Sequence, residues 1–365
     1  MEIKNYTECY NKISRILMER FTREKNGENI AFSPMSIIML LGMAADAVSG
    51  KSREEILSVV GSGMAYEEFM DTLKSLQADM SRSKSLMSSN AVCVKENISG
   101  SIEKAYIERL KEIFDGRLFA SENLIQDVNA WVKEKTHGMI TDVMDESMEH
   151  IVACLMNAIA FESDWMEQYE ESDIYEDDFH NADGKISKVQ MMDSTEEIYV
   201  EDDSFTGFIK PYKDEKYALM ALLPKKKGRA FMLQAIKQID LSKMYAGAVN
   251  KTVHASMPEF NADFGKNLTE LCKDLGINTV FTPEADFSPM STEWLMIDSI
   301  IHKAHIEVDR KGTKAAAVTT AFMVCGCLPD MNYKSVVLNR PFLYAIMDTK
   351  TGLPVFTGIY NKAGK

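Results

Sequence analysis

One stretch of the chain is apolar on nearly every face of the helix it would form. It starts at Ser33, a residue type that favours the N-cap, and Pro34 follows at the first helical position, where its missing N–H costs nothing. Apolar positions then continue from Met35 to about Ala47. A helix of this kind is buried on all sides. The chain must therefore fold into a domain large enough to enclose it.

Helical patterns dominate the first third of the chain, and strand patterns dominate the rest. Gly50 is predicted to end the apolar helix, and Ser52 with Glu55 to form a capping box for the next one. The continuous apolar run at 150–161 predicts a strand buried on both faces. Residues 335–360 predict a strand pair joined by a turn. The predicted fold class is α+β, with large and mainly antiparallel sheets.

Length and charge limit the domain organisation and the partners. The 365 residues contain no linker-like segment and no repeat, which predicts a single domain over 1–365. The formal charge of −14 argues against nucleic acid as a partner. The one basic cluster, residues 225–227 with Arg229, is predicted to be a solvated turn; binding of a heparin-like polymer or an anionic membrane is the alternative.

No motif of a known catalytic or metal site is found in the sequence. GxSxG, P-loop, HExxH and EF-hand patterns are absent, so we expect neither an enzyme nor a cofactor or metal. His302 and His305 lie three residues apart in a predicted strand, so they point to opposite faces and cannot share a metal ion. His302 is predicted to be a buried hydrogen-bonding group. The paired acids Glu196-Glu197 are predicted to be solvated surface.

Cysteine usage and hydropathy bear on the compartment. The six dispersed cysteines do not form a disulfide scaffold or a zinc site, and Cys93 and Cys154 are predicted to be small buried hydrophobes. No run resembles a signal peptide or spans a membrane; the first 21 residues predict an amphipathic helix instead. We expect an extracellular or cell-surface protein if a signal peptide has been trimmed, and a cytoplasmic one otherwise.

A late segment, EVDRKGTKAAAVTTAFMVCGC at 307–327, suits neither helix nor strand. Its alanines favour helix, whereas Val318, Thr319 and Thr320 favour strand. If the segment joined a sheet as a strand, alternate side chains would face the interior. The odd-numbered ones are all small and uncharged: Thr313, Ala315, Ala317, Thr319 and Ala321. Gly312 precedes them as a conformationally permissive pivot. An ordinary core strand or helix of small residues is the alternative.

Motifs along essentially the whole chain resemble those of the serpins, in family order. They include NIAFSPMSIIMLLGMAADAVSGKSREEI early in the chain, VNAWVKEKTHGMI and MNAIAFESDW in the middle, and IDSIIHKAHIEV and NRPFLYAI near the end. The resemblance implies the serpin fold, in which eight or nine helices surround three mainly antiparallel β-sheets. It also implies an exposed reactive loop at about 312–332.

The resemblance implies a suicide inhibitor of serine proteases. A protease cleaves the loop and forms an acyl-enzyme, and the cut loop then inserts into the main sheet with the protease still covalently attached. The hinge implied for that insertion consists of Gly312, Thr313, Ala315, Ala316, Ala317 and Thr319. The expected partner is a serine protease, with a cysteine protease as a second candidate, and the inhibitor is expected to be a monomer. A non-inhibitory carrier, chaperone or protease substrate is the alternative.

Two supporting clusters are also carried over by the resemblance. Ser33, Ser36, Asn157 and His302 match the family's shutter, the polar cluster beneath the strands that must part. Trp165 matches the tryptophan of the breach, where the loop enters the sheet. The family's Lys-Gly before that tryptophan is here Glu162-Ser163-Asp164, and the C-terminal strand lacks the usual Arg and closing Pro. These departures indicate a divergent member, and a prokaryotic source is one interpretation.

The reactive bond is predicted to involve Cys325, Gly326 or Cys327. The family's spacing forward from Thr313 reaches Gly326, and the spacing backward from the C-terminal strand reaches a point four residues later. We prefer the forward count, because the inserted length determines whether the protease is trapped. Glycine is a poor anchor for a specificity pocket, so cleavage after either cysteine is favoured. The apolar residues 322–324 precede the bond and suggest an elastase-like or subtilisin-like target.

Overall fold

The computed structural model describes residues 2–148, 151–313 and 333–364. Within these ranges the chain forms nine α-helices: α1 Glu2–Glu24, α2 Pro34–Ala47, α3 Gly50–Val60, α4 Tyr66–Met80, α5 Lys104–Phe114, α6 Leu124–Lys135, α7 Arg229–Ile236, α8 Leu241–Ala246 and α9 Thr269–Asp274. The strands are β1 Ile30–Phe32, β2 Leu86–Val94, β3 Gly116–Phe119, β4 Ala153–Phe161, β5 Ser163–Asp164, β6 Ile174–His180, β7 Ile186–Glu201, β8 Phe205–Pro211, β9 Tyr217–Pro224, β10 Val249–Pro258, β11 Phe260–Asn267, β12 Ser299–Val308, β13 Gly312–Thr313, β14 Lys334–Val337, β15 Phe342–Asp348 and β16 Pro354–Tyr360. The predicted α+β class is confirmed.

Helix α2 is the buried apolar helix that the sequence predicts. Every one of its 14 residues is buried, and the Ser33 side chain accepts a hydrogen bond from the backbone N–H of Ser36 at 3.1 Å. Ser33 is thus the N-cap, and Pro34 occupies the first helical position. Within the described ranges, no helix is both long and apolar enough to cross a membrane.

The predicted boundary between α2 and α3 is wrong. Gly50 begins α3 instead of ending α2, and its positive φ of 57° lets the chain change direction between the two helices. Ser52 therefore lies inside α3 and forms no capping box. The Glu55 carboxylate instead accepts hydrogen bonds from the backbone N–H and the hydroxyl of Thr279, both at 2.7 Å. The S-x-x-E pattern thus serves a tertiary contact in this chain.

The chain divides into two compact units. The first comprises Met1–Ile13, Phe32–Ala160 and Phe264–His305; the second comprises Ser14–Ala31, Phe161–Asp263 and Ile306–Lys365. Each unit draws on several separate stretches of sequence. The single domain over 1–365 stays a prediction.

The first unit contains α2–α6, α9 and a sheet with the strand order β3-β2-β4-β12. Both β2–β3 and β4–β12 pair in parallel. Strand β4 is buried along all nine of its residues, as the apolar run predicts. Trp131 of α6 packs against Phe119 with ring centroids 5.1 Å apart. Cys93 and Cys154 are fully buried in the same core cluster, which confirms their predicted environment.

The second unit is built on a sheet with the strand order β16-β15-β9-β8-β7-β10-β14, in which β6 also pairs with β7. Strand β7 has 16 residues; it pairs with β6 and β10 along most of its length and with β8 at its end. The described strands thus form two sheets where the resemblance implies three, because β7 joins β6, β8 and β10 into one. Five buried aromatic rings of this unit pack against one another: Phe179, Phe260, Phe342, Tyr344 and Tyr360.

Candidate functional site

The first two hinge residues already lie in a sheet. They form β13, which runs antiparallel to the end of β12 on one side and to β5 on the other. Thr313 is opposite Val308 of β12 and Ser163 of β5, and Gly312 is opposite Asp164. The chain therefore leaves β12, turns back at once, and starts a new strand between two existing ones.

The turn between β12 and β13 is fixed by hydrogen bonds and ion pairs. Asp309 Oδ1 accepts from the backbone N–H of Gly312 at 3.1 Å, and the backbone N–H of Asp309 donates to the carbonyl of Gly312 at 2.9 Å. The guanidinium of Arg310 contacts the carboxylates of Glu259 and Glu171, each at 2.8 Å. These contacts determine the direction in which the chain enters the sheet.

Gly312 is required for a different reason from the one the sequence suggests. The sequence predicts a conformationally permissive pivot, but the φ of Gly312 lies outside the left-handed region, so this freedom is not what the position uses. A Cβ at this position would lie 2.1 Å from the carbonyl oxygen of Ser163 and 2.7 Å from the Cα of Asp164. Only a residue without a side chain fits this close to β5.

Trp165, the predicted breach residue, lies directly beside the hinge. It is 1% exposed, and its indole Nε1–H donates to the carbonyl of Asp309 at 2.9 Å. The indole stacks on Tyr212 with ring centroids 4.5 Å apart. The Tyr212 hydroxyl is 2.8 Å from Oγ1 of Thr313, and burial raises the pKa of Tyr212. Thr313 itself is fully buried. The stacked rings of Trp165 and Tyr212 thus pack beside Thr313 of the hinge.

A buried ion pair lies beside Trp165. Lys210 Nζ is 2.8 Å from Glu196 Oε1, and the two side chains are only 4% and 7% exposed. The ammonium also lies 4.5 Å from the ring centroid of Tyr169 and 5.6 Å from that of Trp165. The prediction that Glu196 is solvated surface is wrong, because its neighbour Glu197 alone takes the exposed face of β7. The sequence signal for a buried ion pair was Lys210, a lysine within the otherwise apolar strand FIKPY.

The shutter residues form a continuous chain of hydrogen bonds. The backbone N–H of Ser33 donates to His302 Nε2 at 3.2 Å, and His302 Nδ1 lies 3.2 Å from Asn157 Oδ1. Asn157 Nδ2 donates in turn to Asn90 Oδ1 at 2.9 Å. Ser36 contributes its backbone N–H to the Ser33 hydroxyl, whereas its own buried hydroxyl has no partner among the described residues. The structure therefore brings Ser33, Asn157 and His302 together.

The hydrogen bonds of His302 define its protonation state. Nε2 accepts from a backbone N–H, so the proton resides on Nδ1 and is donated to the Asn157 carbonyl. The ring is fully buried, and burial lowers the pKa of His302 from 6.5 to about 3. His302 is thus the neutral, buried hydrogen-bonding group that the sequence predicts. His305, three residues along β12, is half-buried.

Asn90 is the member of this chain that sequence reasoning missed. It lies in β2, is 1% exposed, and its amide also donates to the carbonyl of Phe114 at 2.7 Å. The signal was present in the sequence SSNAVCV, where three polar residues precede an apolar strand end. A buried asparagine needs several partners, so its side chain ties β2 to both β4 and the end of α5.

The remaining predicted site residues lie outside the described part of the chain. They are the hinge residues Ala315, Ala316, Ala317 and Thr319 and the reactive-bond candidates Cys325, Gly326 and Cys327. Among the residues that are described, no group of three or more His, Cys, Asp or Glu side chains could hold a metal ion.

Comparison with known proteins agrees with this arrangement. The family model described as "Serpin (serine protease inhibitor)" matches residues 8–363. Serpin-Z3 of Arabidopsis thaliana is 29% identical over 98% of this chain and 96% of its own length. An uncharacterized serpin-like protein of Thermococcus kodakarensis is 27% identical over 91% of this chain and 80% of its own length.

Solved structures give the same result. Tengpin, a thermophilic serpin, superimposes in its native state with a TM-score of 0.88 at 29% identity, covering 100% of this chain and 95% of tengpin. The latent state of tengpin gives a lower TM-score of 0.82 at 28% identity, covering 100% and 99%. The fold is therefore more similar to the native than to the latent form. With a family match over nearly the whole chain and this fold, the protein belongs to the serpin family.

Proposed function

We propose that this chain is an inhibitory serpin that traps a serine protease by inserting its reactive loop between β4 and β12. The observation that carries the proposal is the position of β13. Gly312 and Thr313 lie in register between the end of β12 and β5, which follows β4 in sequence. The first step of an insertion is thus already compatible with the native sheet.

The register of β13 defines where the rest of the hinge would go. Both pairings are antiparallel, so the register can be continued one residue at a time. Residue 314 then lies opposite 307 of β12 and opposite 162, and residue 322 lies opposite 299 and opposite 154. Thr319 would then lie between His302 and Asn157. Those two residues are now direct partners in the β4–β12 pairing. The register set by β13 therefore leads to the same residue pair, His302 and Asn157, that the pairing of β4 with β12 already places opposite each other.

The side chains of the hinge suit this path. Thr313 faces the interior and is fully buried. Because side chains alternate along a strand, 315, 317, 319 and 321 would face the same interior, and all of them are Ala or Thr. Lys314 would fall on the opposite face. Small uncharged residues can enter a packed sheet without leaving a buried charge unpaired.

Insertion also has a sufficient driving force. An inserted strand would add roughly ten backbone hydrogen bonds beyond those that β4 and β12 now share, at about 1 kcal/mol net for each. A gain of about 10 kcal/mol is comparable to the total stability of a domain. The protein supplies no catalytic group; its contribution is this conformational free energy. The protease serine attacks the loop carbonyl, the amide bond breaks, and the ester remains attached to the moving strand.

The target suggested by the loop sequence is a protease with a small apolar specificity pocket. The residues before the candidate bonds are Phe322, Met323 and Val324, followed by Cys325 and Gly326, and no Lys or Arg is near. An elastase-like or subtilisin-like enzyme suits this sequence better than a trypsin-like one.

The test is incubation with pancreatic elastase, followed by a reducing denaturing gel and mass spectrometry of the released peptide. We expect a covalent band near the summed mass of the two proteins and a peptide that begins between Gly326 and Leu328. A subtilisin serves as a second protease, so that a wrong target is not taken for a failed mechanism. Cleavage by both enzymes without a covalent band would favour the non-inhibitory alternative.

A matched variant separates trapping from cleavage. Thr313→Lys would place a charge where the native side chain is fully buried, so the hinge could no longer enter the sheet. We expect the variant to be cleaved at the same bond without forming the complex. Lys314→Thr, one residue further on the opposite face, should form the complex as the unmodified protein does. A Thr313→Lys variant that still traps the protease would contradict the proposal.

A further inference from the structure

A cavity in the second unit has a lining that, among the described residues, includes neither the hinge residues Gly312 and Thr313 nor Trp165. It has a volume of about 170 Å³ and is bordered by the end of α1, the start of α7, the start of β15 and the end of β16. Since 10–15 Å³ holds one water molecule, the cavity has room for on the order of ten. It is thus large enough for a small ion with an organic substituent.

The charge of the lining is opposite to that of the protein. Lys226, Lys227, Arg229 and Arg340 all line the cavity, and none of the described residues that line it is acidic. The chain as a whole has a formal charge of −14. Lys226, Lys227 and Arg229 are exposed and Arg340 is half-buried, so four cations around one cavity create a positive local potential that favours an anion.

The two guanidinium groups are held in place but not neutralised. Arg340 is half-buried and donates from Nη2 to the carbonyl of Pro224 at 2.7 Å. Arg229 donates from Nη2 to the carbonyls of Thr22 and Arg23, at 3.3 and 3.2 Å. Neither forms an ion pair with a carboxylate among the described residues. A guanidinium has five N–H donors, so each retains several for a ligand. Desolvation without a charged partner also lowers the pKa of Arg340.

The neighbouring residue Lys225 shows the contrast. It lies in the same basic run but outside the cavity lining, and its Nζ is 2.7 Å from Glu201 Oε1. Lys226 and Lys227 have no such carboxylate within the described part of the chain. Residues 225–229 are all exposed, as expected of the solvated turn that the sequence predicts, and two of its lysines also line the cavity. Gly228 adds the uncapped N-terminus of α7, whose backbone N–H groups also favour an anion.

We propose that this cavity binds a small oxyanion of at least two negative charges, namely a phosphate or sulfate group. Arg340 and Arg229 bind its oxygens through paired N–H donors, and Lys226 and Lys227 neutralise the remaining charge. The group belongs either to a free ion or to a small monoester, whose organic part occupies the remaining volume. The site requires no protease and is independent of loop insertion.

The experiment is calorimetric titration with inorganic phosphate, sulfate and glycerol 3-phosphate, at an ionic strength held constant with chloride. We expect saturable binding of one ion per chain, and no binding of glycerol. Tighter binding of glycerol 3-phosphate than of phosphate assigns the monoester, and equal binding assigns the free ion; both support the site. Sulfated polysaccharide or anionic phosphatidylserine vesicles binding while the small ions do not would overturn the proposal in favour of a surface for polyanions.

Variants identify the cavity as the site. Arg340→Gln and Lys227→Gln should each weaken the binding of inorganic phosphate at least about tenfold. Lys225→Gln should leave it within about twofold. Lys227 is exposed, so its replacement tests the proposal even if Arg340→Gln does not fold. Unchanged binding in Lys227→Gln, or an equal loss in Lys225→Gln, would overturn the assignment.

Discussion

His302 links the residues of the predicted shutter as a neutral ring, and both of its nitrogens form hydrogen bonds. One accepts from the backbone of Ser33 and the other donates to Asn157. A second proton on Nε2 would break the bond to Ser33 and place a charge in a fully buried site. The cluster beneath β4 and β12 therefore depends on pH through this one residue.

Acidification should weaken the native state through His302. Its pKa is about 3 in the folded protein and 6.5 when unfolded, so below pH 6.5 the unfolded chain binds a proton that the folded chain does not. The contribution of neutral His302 to the free energy of unfolding is fully present above pH 6.5. It falls by about 1.4 kcal/mol per pH unit towards pH 3. Between pH 6.5 and 5 this gives a loss of about 2 kcal/mol.

Urea unfolding at about pH 7.5 and about pH 5 measures this effect. His302→Gln should be less stable than the unmodified protein at the higher pH but should lose about 2 kcal/mol less on acidification. His305→Gln, on the opposite face of β12, is the matched control and should keep the original pH dependence. Identical losses in all three proteins would show that His302 is not the group that titrates.

The pair Lys210–Glu196 is the other residue-scale feature, since two charges are buried side by side below Trp165. Lys210→Met alone leaves the Glu196 carboxylate without its partner. We expect the free energy of unfolding to fall by about 3 kcal/mol. The double variant Lys210→Met/Glu196→Leu should recover most of this loss, because apolar residues can fill the same space.

Chemical unfolding of the single and double variants provides the measurement. Lys188→Met is the control, since its pair with Asp178 is also 2.8 Å long but exposed; its stability should change little. If the double variant were as unstable as Lys210→Met, the pair would have a role beyond mutual neutralisation.

At the scale of elements, the short strand β13 depends on the absence of a side chain at Gly312. Gly312→Ala would bring a Cβ to 2.1 Å from the carbonyl oxygen of Ser163, a backbone atom that cannot move aside easily. We expect a destabilisation of about 2 kcal/mol. The hinge should then leave the sheet, and a larger share of the protein should be cleaved without trapping the protease.

The ratio of covalent complex to cleaved inhibitor on a denaturing gel reports this effect. Gly100→Ala is the control, because a Cβ there meets no atom within 4 Å. The ratio should fall for Gly312→Ala and stay constant for Gly100→Ala. A ratio that fell equally in both would indicate general loss of stability instead of a blocked hinge.

Elements determined by their own apolar pattern were predictable from the sequence. Helix α2 and strand β4 are buried along their whole length. Their continuous apolar sequences therefore predict their burial without knowledge of the elements that pack against them. The capping role predicted for Glu55 is wrong because a local capping pattern and a long-range contact to Thr279 use the same carboxylate. The reason for Gly312 and the burial of Glu196 both depend on neighbouring strands, which no local pattern specifies.

At the scale of the whole molecule, the proposed inhibitor stores free energy in a sheet that can accept one more strand. The fold is more similar to the native than to the latent form of tengpin, and only Gly312 and Thr313 of the hinge lie in the described sheet. The segment from 314 to 322 would complete the strand. In the proposed mechanism, cleavage of the loop removes the covalent constraint that opposes this step.

The most direct measurement is the melting temperature of the protein before and after cleavage of its loop by elastase. Insertion worth about 10 kcal/mol should raise the midpoint by at least about 10 °C, because each kcal/mol shifts a large domain by a few degrees. Cleaved Thr313→Lys should lack this rise. A cleaved protein that melts at or below the temperature of the intact one would contradict insertion, and with it the proposed mechanism of inhibition.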